Sequence, residues 1–246
     1  MNTSRYTVIT YIIGNYEKVH EIRERSDRAA YLLITDRPDL KSDTWQVVYD
    51  ATLTGSPMNK VMDIRWHPWR YTSDEIVITL DGSLGVNKSL DMLVDALLFN
   101  YCELGIVIHP HRRTILDELD VWASFRNYQG KEWQLRKLSA VGYDSKYYRG
   151  LYQTGLMIRR RTDAINEWHN EVLMNLSSNG EYDRLDQTIA SAMLNRFHSD
   201  MRVAWFSELL LESQFITWYG HGTDDVVHQP QVIAPYAFDH PVEVIL

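Results

Sequence analysis

The stretch YTVITYIIGNY, residues 6–16, carries the pattern that decides the fold. Its first eight residues are all β-branched or aromatic, and it ends in the turn signal Gly14-Asn15-Tyr16. Short unbroken runs of this kind are typical of strands that helices cover on both faces. The stretch therefore predicts a central strand of an α/β domain.

Similar runs recur along the first half of the chain and alternate with segments of helical spacing. Strands are predicted at residues 30–35, 45–49, 75–80 and 105–108, and helices at residues 58–66 and 90–101. Strands that alternate with helices indicate an α/β fold with a mainly parallel central sheet flanked by helices.

The second half of the chain has longer helical segments around one further strand. Helices are predicted at residues 132–141, from Thr162 or Asp163 to about 176, and at about 184–197, and a strand at residues 151–160. Gly155 lies inside that strand, which indicates a bulge or a close approach to the backbone. No linker or repeat interrupts the pattern, so residues 1–246 are interpreted as one domain, around which the tail from about residue 220 wraps.

The composition excludes several classes of protein. With 45% hydrophobic and 24% charged residues, the 246-residue chain is typical of a globular domain and not of a disordered one. Its formal charge of −8 does not favour nucleic acid as a partner. Cys102 is the single cysteine, which rules out a disulfide framework and a cysteine-based zinc site.

The sequence also lacks the signals of a membrane or secreted protein. Acidic and amide side chains interrupt the most apolar region, residues 90–109, so it does not supply the roughly 20 apolar residues of a transmembrane helix. The apolar run near the N-terminus is too short for a signal-peptide core. We therefore expect a cytoplasmic protein without a transmembrane segment.

Polar residues directly follow most of the predicted strands. They are Gly14-Asn15, Asp36, Asp81-Gly82-Ser83 and His109-Pro110-His111. Ligands of open α/β sheets bind outside the carboxyl ends of the strands. The sequence therefore predicts a ligand site at this edge of the sheet.

Asp81-Gly82-Ser83 is the sharpest of these signals. A carboxylate on the turn after a buried strand suits a cation that carries a phosphate, because Mg²⁺ and Mn²⁺ prefer oxygen ligands. The alternative is that Asp-Gly simply forms the turn, and spacing alone favours this alternative.

Three further segments carry polar residues that suit a sugar or a phosphate. Gln153 and Thr154 offer an amide and a hydroxyl to a polyol, or else mark an edge or bulged strand. Asp186-Gln187 either begins a helix, whose dipole favours a carboxylate there, or contacts a sugar. Lys60 either neutralises a diphosphate or is a solvated surface lysine.

His109, His111 and Asp117 leave open a different hypothesis, a metal-dependent hydrolase. Their spacing does not match a helical zinc motif, and the alternative is a loop that anchors a helix. The signatures of P-loop, Rossmann dinucleotide-binding and α/β-hydrolase proteins are missing from the sequence.

The order of these motifs resembles the TOD/MUCI70-like hexosyltransferase domain family over about residues 6–200. The resemblance rests on residues 6–16, 31–45, Lys60, Leu-Asp-Gly-Ser at 80–83, His-Pro-x-Arg at 109–112, YQTGLMIRR at 152–160 and Asp186-Gln187. That family is related to GT-A-fold glycosyltransferases such as glycogenin and the lipopolysaccharide galactosyltransferases. The resemblance implies a GT-A-like domain that transfers a hexose from a nucleotide sugar, such as a UDP-hexose, to a glycan or another hydroxyl acceptor.

The resemblance also implies roles for single residues. Those implied to bind the nucleotide sugar are Ile13, Gly14 and Asn15 beside the nucleoside, Asp36 near the base, Lys60 at the diphosphate, Asp81, Gly82 and Ser83 at the metal motif, and Gln153, Thr154 and Gly155 along the sugar. Asp186 and Gln187 are implied as the catalytic pair near the reacting carbon.

The implied cofactor is Mn²⁺ or Mg²⁺, held by Asp81 and by a histidine of the tail, His221 or His228. Ser83 stands where the family motif has its second carboxylate. This departure leaves open an alternative from another class, a non-catalytic nucleotide- or glycan-binding module on the same fold.

Overall fold

A computed structural model describes residues 4–125, 130–143, 150–178, 180–197 and 201–219. The strands are β1 (Tyr6–Ile12), β2 (Ala29–Thr35), β3 (Gln46–Tyr49), β4 (Ile76–Leu80), β5 (Leu84–Val86), β6 (Leu104–Ile108), β7 (Tyr152–Arg160), β8 (Ser177–Ser178), β9 (Glu181–Tyr182), β10 (Val203–Ser207) and β11 (Ile216–Trp218). The helices are α1 (Pro57–Trp66), α2 (Asp91–Phe99), α3 (Ile115–Phe125), α4 (Lys131–Ala140), α5 (Asp163–Leu176), α6 (Asp186–Phe197) and α7 (Glu208–Gln214), with a 3-10 turn at Pro68–Arg70.

Seven strands form one mixed sheet in the order β10-β6-β7-β4-β1-β2-β3. Parallel pairs join β1 to β2 and β4, β2 to β3, and β6 to β10. Strand β7 is antiparallel to both of its neighbours, β4 and β6. The predicted α/β fold with a mainly parallel sheet is confirmed, and the reversed strand is an addition to it.

Both faces of the sheet are buried, as the unbroken apolar runs predicted. Val8 and Ile12 of β1 belong to the core that includes α2, whereas their neighbours Ile9 and Tyr11 face the other side. A further core joins β6 and β7 to α5 and α6. Every residue of β1 is buried, which explains why its sequence has no polar alternation.

The helices and strands predicted from the sequence are confirmed to within two residues at each end. Strand β10 was not predicted: its apolar run at residues 203–206 is short, and its burial alternates, with only Ala204 and Phe206 buried. The predicted irregularity at Gly155 is confirmed, because the pairing of β6 with β7 shifts from Ile106–Met157 to Val107–Gln153.

Two further expectations from the sequence concern a membrane-spanning helix and the tail of the chain. No helix within the described residues is long and apolar enough to cross a membrane. The tail from residue 220, with His221 and His228, lies outside the described residues.

Candidate functional site

A cavity of about 710 Å³ opens at the carboxyl ends of β1 and β4. The chain builds the sheet from β1 towards β2 and β3, and then places β4 on the other side of β1. Ligands of open α/β sheets bind where the strand order reverses in this way. The volume lies within the range of about 300–1,000 Å³ that is usual for ligand pockets.

Arg65 lines this cavity and is only 6% exposed. It is carried by α1, a helix with a well-defined start. Ser56 caps it by accepting the N–H of Asn59, and Pro57 occupies the first turn. Arg65 lies in the last turn, so the fixed start of the helix sets the position of its side chain.

The guanidinium of Arg65 joins four side chains from distant parts of the sequence. Its Nη1 donates to Asp186 Oδ2 at 2.5 Å and to Thr154 Oγ1 at 3.3 Å. Its Nη2 donates to Asp81, and its Nε donates to the Tyr11 hydroxyl at 2.8 Å. The hydroxyls of Thr154 and Tyr11 donate in turn to Asp186 and Asp81. We refer to these five residues as the Arg65 cluster.

The charges of the Arg65 cluster stabilise each other. Burial lowers the pKa of Arg65, but the charges of Asp186 and Asp81 outweigh burial and hold that pKa well above its usual value. Burial, opposed by Arg65 and assisted by Asp81, raises the pKa of Tyr11 well above its usual value. The cluster thus sets one guanidinium against two carboxylates, and carboxylate oxygens accept hydrogen bonds from the hydroxyls of a sugar.

Gly155 brings the backbone of β7 against Asp81. A Cβ on Gly155 would lie 3.1 Å from Asp81 Oδ2, and the N–H of Asp81 donates to the Gly155 carbonyl at 2.8 Å. The close approach that the sequence predicted at this glycine is therefore confirmed, and the group that approaches is the Asp81 side chain.

Gly82 also has no room for a side chain. A Cβ there would lie 2.6 Å from the carbonyl oxygen of Tyr11 and would collide with the carboxylate of Glu17. Glu17 lines the cavity as well. Glu17 was not predicted from the sequence, because it lies in a polar loop where nothing distinguishes one carboxylate from another.

Seven predicted site residues lie together at this cavity. They are Ile13, Asp81, Gly82, Thr154, Gly155, Asp186 and Gln187. Trp122 and Arg184, which were not predicted as site residues, line it too, and Arg184 Cζ lies 4.9 Å from the centre of the Trp122 ring.

Gly14, Asp36 and Lys60 form a contact of their own. The Gly14 N–H donates to Asp36 Oδ1 and Lys60 Nζ donates to Oδ2, both at 2.8 Å. Burial raises the pKa of Asp36, but these two donors outweigh burial and lower it. These three residues are not among those that line the cavity, and neither is Asn15, which is exposed.

Ser83 and Gln153 also lie outside the cavity lining. Ser83 is buried, and its carbonyl accepts the N–H of Tyr219 at 2.9 Å. Neighbouring strand residues point to opposite faces, so Gln153 turns away from Thr154. It hydrogen-bonds Glu208, whose pKa is raised to about 7 by burial and by the charge of Glu212.

His109 and His111 have the geometry of a loop anchor. Nδ1 of His109 accepts the backbone N–H groups of His111 at 3.2 Å and of Arg112 at 3.1 Å. Burial and the charge of Arg112 lower the pKa of His109 to about 3. Over the described ranges, no three His, Cys, Asp or Glu side chains are grouped so that they could hold a metal ion.

Asp81 is the predicted metal ligand that falls within the described part of the chain. Its carboxylate already accepts hydrogen bonds from Arg65 and Tyr11. Mg²⁺ is usually bound by one or two carboxylates together with substrate phosphates. A single carboxylate that shares the Arg65 guanidinium with Asp186 does not by itself fit a resident divalent cation.

Comparison with known protein families and with curated proteins finds no family model and no curated protein that matches this chain. The functional argument therefore rests on the cavity and the residues around it.

Proposed function

We propose that the protein is a GT-A-like hexosyltransferase, which moves a hexose from a nucleotide sugar such as a UDP-hexose to a glycan or another hydroxyl acceptor. One observation carries the proposal: a buried guanidinium holds two carboxylates, Asp81 and Asp186, in a cavity where the strand order reverses. The mixed sheet and the order of the motifs along the chain support it further.

Asp186 is the residue we assign to the reacting carbon. When the nucleoside diphosphate leaves, positive charge develops on the anomeric carbon, and a fixed carboxylate stabilises that charge without reorganising. Asp186 is 3% exposed, and both of its oxygens are held, one by Arg65 and one by Thr154. Its orientation is thus set before a ligand binds.

Asp81 and Gln187 are assigned to the sugar itself. A carboxylate and an amide carbonyl accept hydrogen bonds from hydroxyl groups. Both residues line the cavity that contains Asp186. An apolar side of the same cavity, formed by Ile12, Ile13 and Val61, suits the less polar faces of the ligand.

The leaving phosphate needs positive charge near it. Arg65 and Arg184 are the cationic side chains among the described residues that line the cavity. Lys60 forms an ion pair with Asp36. It can therefore bind the diphosphate, as the resemblance implies, only if a phosphate replaces Asp36 as its partner. A divalent cation at Asp81 stays a prediction, and no step proposed here depends on it.

A non-catalytic binding module is the alternative, and one observation favours it. Arg65 already donates to both carboxylates, so the cluster is held together without a substrate. Such a module binds a sugar or a nucleotide but does not cleave the bond between them. Slow release of UDP from UDP-glucose in the presence of the pure protein would argue for the enzyme.

Calorimetry with UDP, GDP and UDP-hexoses, each with and without Mn²⁺, tests the proposal. We expect binding in the micromolar to millimolar range, and a loss of transfer or hydrolysis of about 100-fold in Asp186→Asn. Asp39→Asn is the matched control, because Asp39 is an exposed acid paired with Arg37. Failure of every nucleoside diphosphate and nucleotide sugar to bind would overturn the proposal.

A further inference from the structure

Glu118 is a buried carboxylate behind the cavity, and the roles assigned above do not use it. It lies on α3 and is completely buried. Its Oε2 accepts from Arg112, and its Oε1 accepts from the Trp122 Nε1 at 2.7 Å and from Gln187 Nε2. Trp122 and Gln187 both line the cavity. One carboxylate oxygen therefore holds two side chains of the cavity wall.

The donors around Glu118 determine which way the Gln187 amide turns. A guanidinium and an indole N–H can only donate, so Glu118 acts as an acceptor on both oxygens. The NH₂ group of Gln187 must then face Glu118, because two acceptors placed together would repel. The carbonyl oxygen Oε1 is then turned away from Glu118, and it is the acceptor that Gln187 offers to a ligand.

The loop after β6 supports Glu118 from the other side. Arg112 forms an ion pair with Glu118, and the Arg112 N–H is held by Nδ1 of His109 at 3.1 Å. The His-Pro-x-Arg motif at residues 109–112 thereby acts on the cavity through Glu118. This gives the motif a purpose that neither a metal centre nor a simple turn supplies.

We infer that Glu118 is a positioning residue that holds the Trp122 ring and the Gln187 carbonyl together as the wall that binds the hexose. An indole offers a flat apolar surface to the C–H groups of a sugar, and the amide oxygen accepts from a sugar hydroxyl. The inference rests on the proposed function and deepens it, because it makes this wall specific for the hexose and not for the nucleotide.

The isosteric variant Glu118→Gln tests this role. An NH₂ group in place of Oε2 would face the charged donor Arg112, so we expect it in place of Oε1, where it faces the neutral donors Trp122 and Gln187. Gln187 then turns its carbonyl towards residue 118 and its own NH₂ into the cavity. We expect the affinity for UDP-glucose to fall about ten-fold, whereas the affinity for UDP changes less than two-fold. The control is Asp120→Asn, since Asp120 lies on the same helix but is exposed and paired with Lys131.

A double-mutant cycle separates positioning from a general weakening of the fold. In a Gln187→Ala background, Glu118→Gln should lower UDP-glucose affinity by a clearly smaller factor than in the wild type, because Glu118 then holds only Trp122 of the two wall residues. Independent, additive losses would overturn the inference. So would a loss of UDP affinity in Glu118→Gln as large as the loss of UDP-glucose affinity.

The side-chain amide signal of Gln187 in a ¹H–¹⁵N spectrum provides a readout that does not depend on activity. It is identified as the signal that Gln187→Ala lacks. We expect slow exchange of its protons with water, and a shift in Glu118→Gln but not in Asp120→Asn. Fast exchange in the wild type would overturn the inference even if nucleotide sugars bind.

The two proposals fail in different ways. If the wild type binds neither UDP nor UDP-glucose, the proposed function is overturned, and with it the hexose as the ligand of this wall. If UDP-glucose binds and Glu118→Gln binds it unchanged, the proposed function stands and the positioning role is overturned.

Discussion

Two buried arginines are in direct contact in this protein, and they are held in opposite ways. Nη1 of Arg159 donates to the backbone carbonyl of Arg65 at 2.8 Å. Arg65 is held by the carboxylates of Asp81 and Asp186. In the ranges that the structure covers, no carboxylate lies within ion-pair distance of Arg159.

Neutral groups hold Arg159 instead. Its Nη2 donates to the Thr79 hydroxyl at 2.8 Å, and its Nη1 lies 3.0 Å from Nε2 of His169. Burial lowers the pKa of Arg159 to about 9, whereas the pKa of Arg65 is raised. The carbonyl that Arg159 binds belongs to the last turn of α1, where carbonyls have no partner within the helix.

The difference separates a functional arginine from a structural one. Arg65 holds two carboxylates in a fixed orientation where a ligand would meet them, as a site for a polyol needs. Arg159 binds the end of the helix that carries Arg65, and a cation is favourable at a helix C-terminus. The contacts of Arg65 orient the charged groups of the cavity, and the contacts of Arg159 fix the position of α1.

The largest effect expected from this comparison is that of Arg65→Met. Methionine matches much of the volume of the side chain but leaves Asp186 buried without a cation, so the free energy of unfolding should fall by about 3–5 kcal/mol. Urea denaturation measures this change.

Arg70→Met is the matched control for that variant. Arg70 also bridges two carboxylates, Asp50 at 3.1 Å and Asp63 at 2.6 Å, but its side chain is 38% exposed. Exposed ion pairs of this kind contribute about 1 kcal/mol or less. Equal losses in both variants would mean that burial between two carboxylates does not set Arg65 apart.

Acid should lower the stability of the folded protein through its buried histidines, one of which, His169, contacts Arg159. Burial and the charge of Arg159 lower the pKa of His169 well below its usual value, and the pKa of His109 is about 3. Between pH 6.5 and 4.5 the unfolded chain therefore binds two protons that the folded protein does not. The folded protein binds one in return, because the pKa of Glu208 is raised to about 7.

The net difference approaches one proton below about pH 5.5, where the unfolded histidines are almost fully protonated, so stability should fall there by about 1.4 kcal/mol for each pH unit. Unfolding curves at several pH values measure the slope. In His169→Gln, which keeps an acceptor for Arg159, the difference is zero and the slope should vanish over this range. A slope that persists unchanged in that variant would contradict the assignment to His169.

The edge of the sheet that carries the cavity could be predicted from the sequence. Each strand was followed by polar residues, and parallel strands bring such ends together. Asp81 was selected on that ground, whereas Thr154 was selected as a polar residue within a strand and Asp186 as a carboxylate at a helix start; all three lie in one cluster. The direction of β7 could not be predicted, because an apolar run is the same for a parallel and an antiparallel strand.

The cation at the centre of the cluster was not predicted, and helix geometry explains why. Lys60 and Arg65 are both basic residues of α1, and Lys60 was selected for the diphosphate. Five residues correspond to about 140° around a helix, so the two side chains face different groups. Lys60 meets Asp36, and Arg65 meets the carboxylates. The spacing does place Arg65 on the same helical face as Met58 and Val61, but the sequence does not show which side chains that face meets.

Of the two buried arginines, Arg159 is expected to show the smaller loss in free energy of unfolding when it is replaced by methionine. The variant Arg159→Met tests the comparison most directly. The substitution removes the donor for the Arg65 carbonyl, Thr79 and His169, which costs about 1–3 kcal/mol. It also removes a buried charge that no described carboxylate balances, which offsets part of that loss.

The free energy of unfolding of Arg159→Met should therefore fall by about 1–2 kcal/mol, less than half of the loss in Arg65→Met. Arg159→Lys is the informative companion, because it keeps the charge and loses the planar fork that reaches three acceptors. Lysine should be worse than methionine here, since a buried charge with fewer partners costs more than an apolar side chain. If Arg159→Met instead loses as much free energy of unfolding as Arg65→Met, the charge of Arg159 is itself stabilising. The two arginines would then not differ in the kind of interaction that holds them.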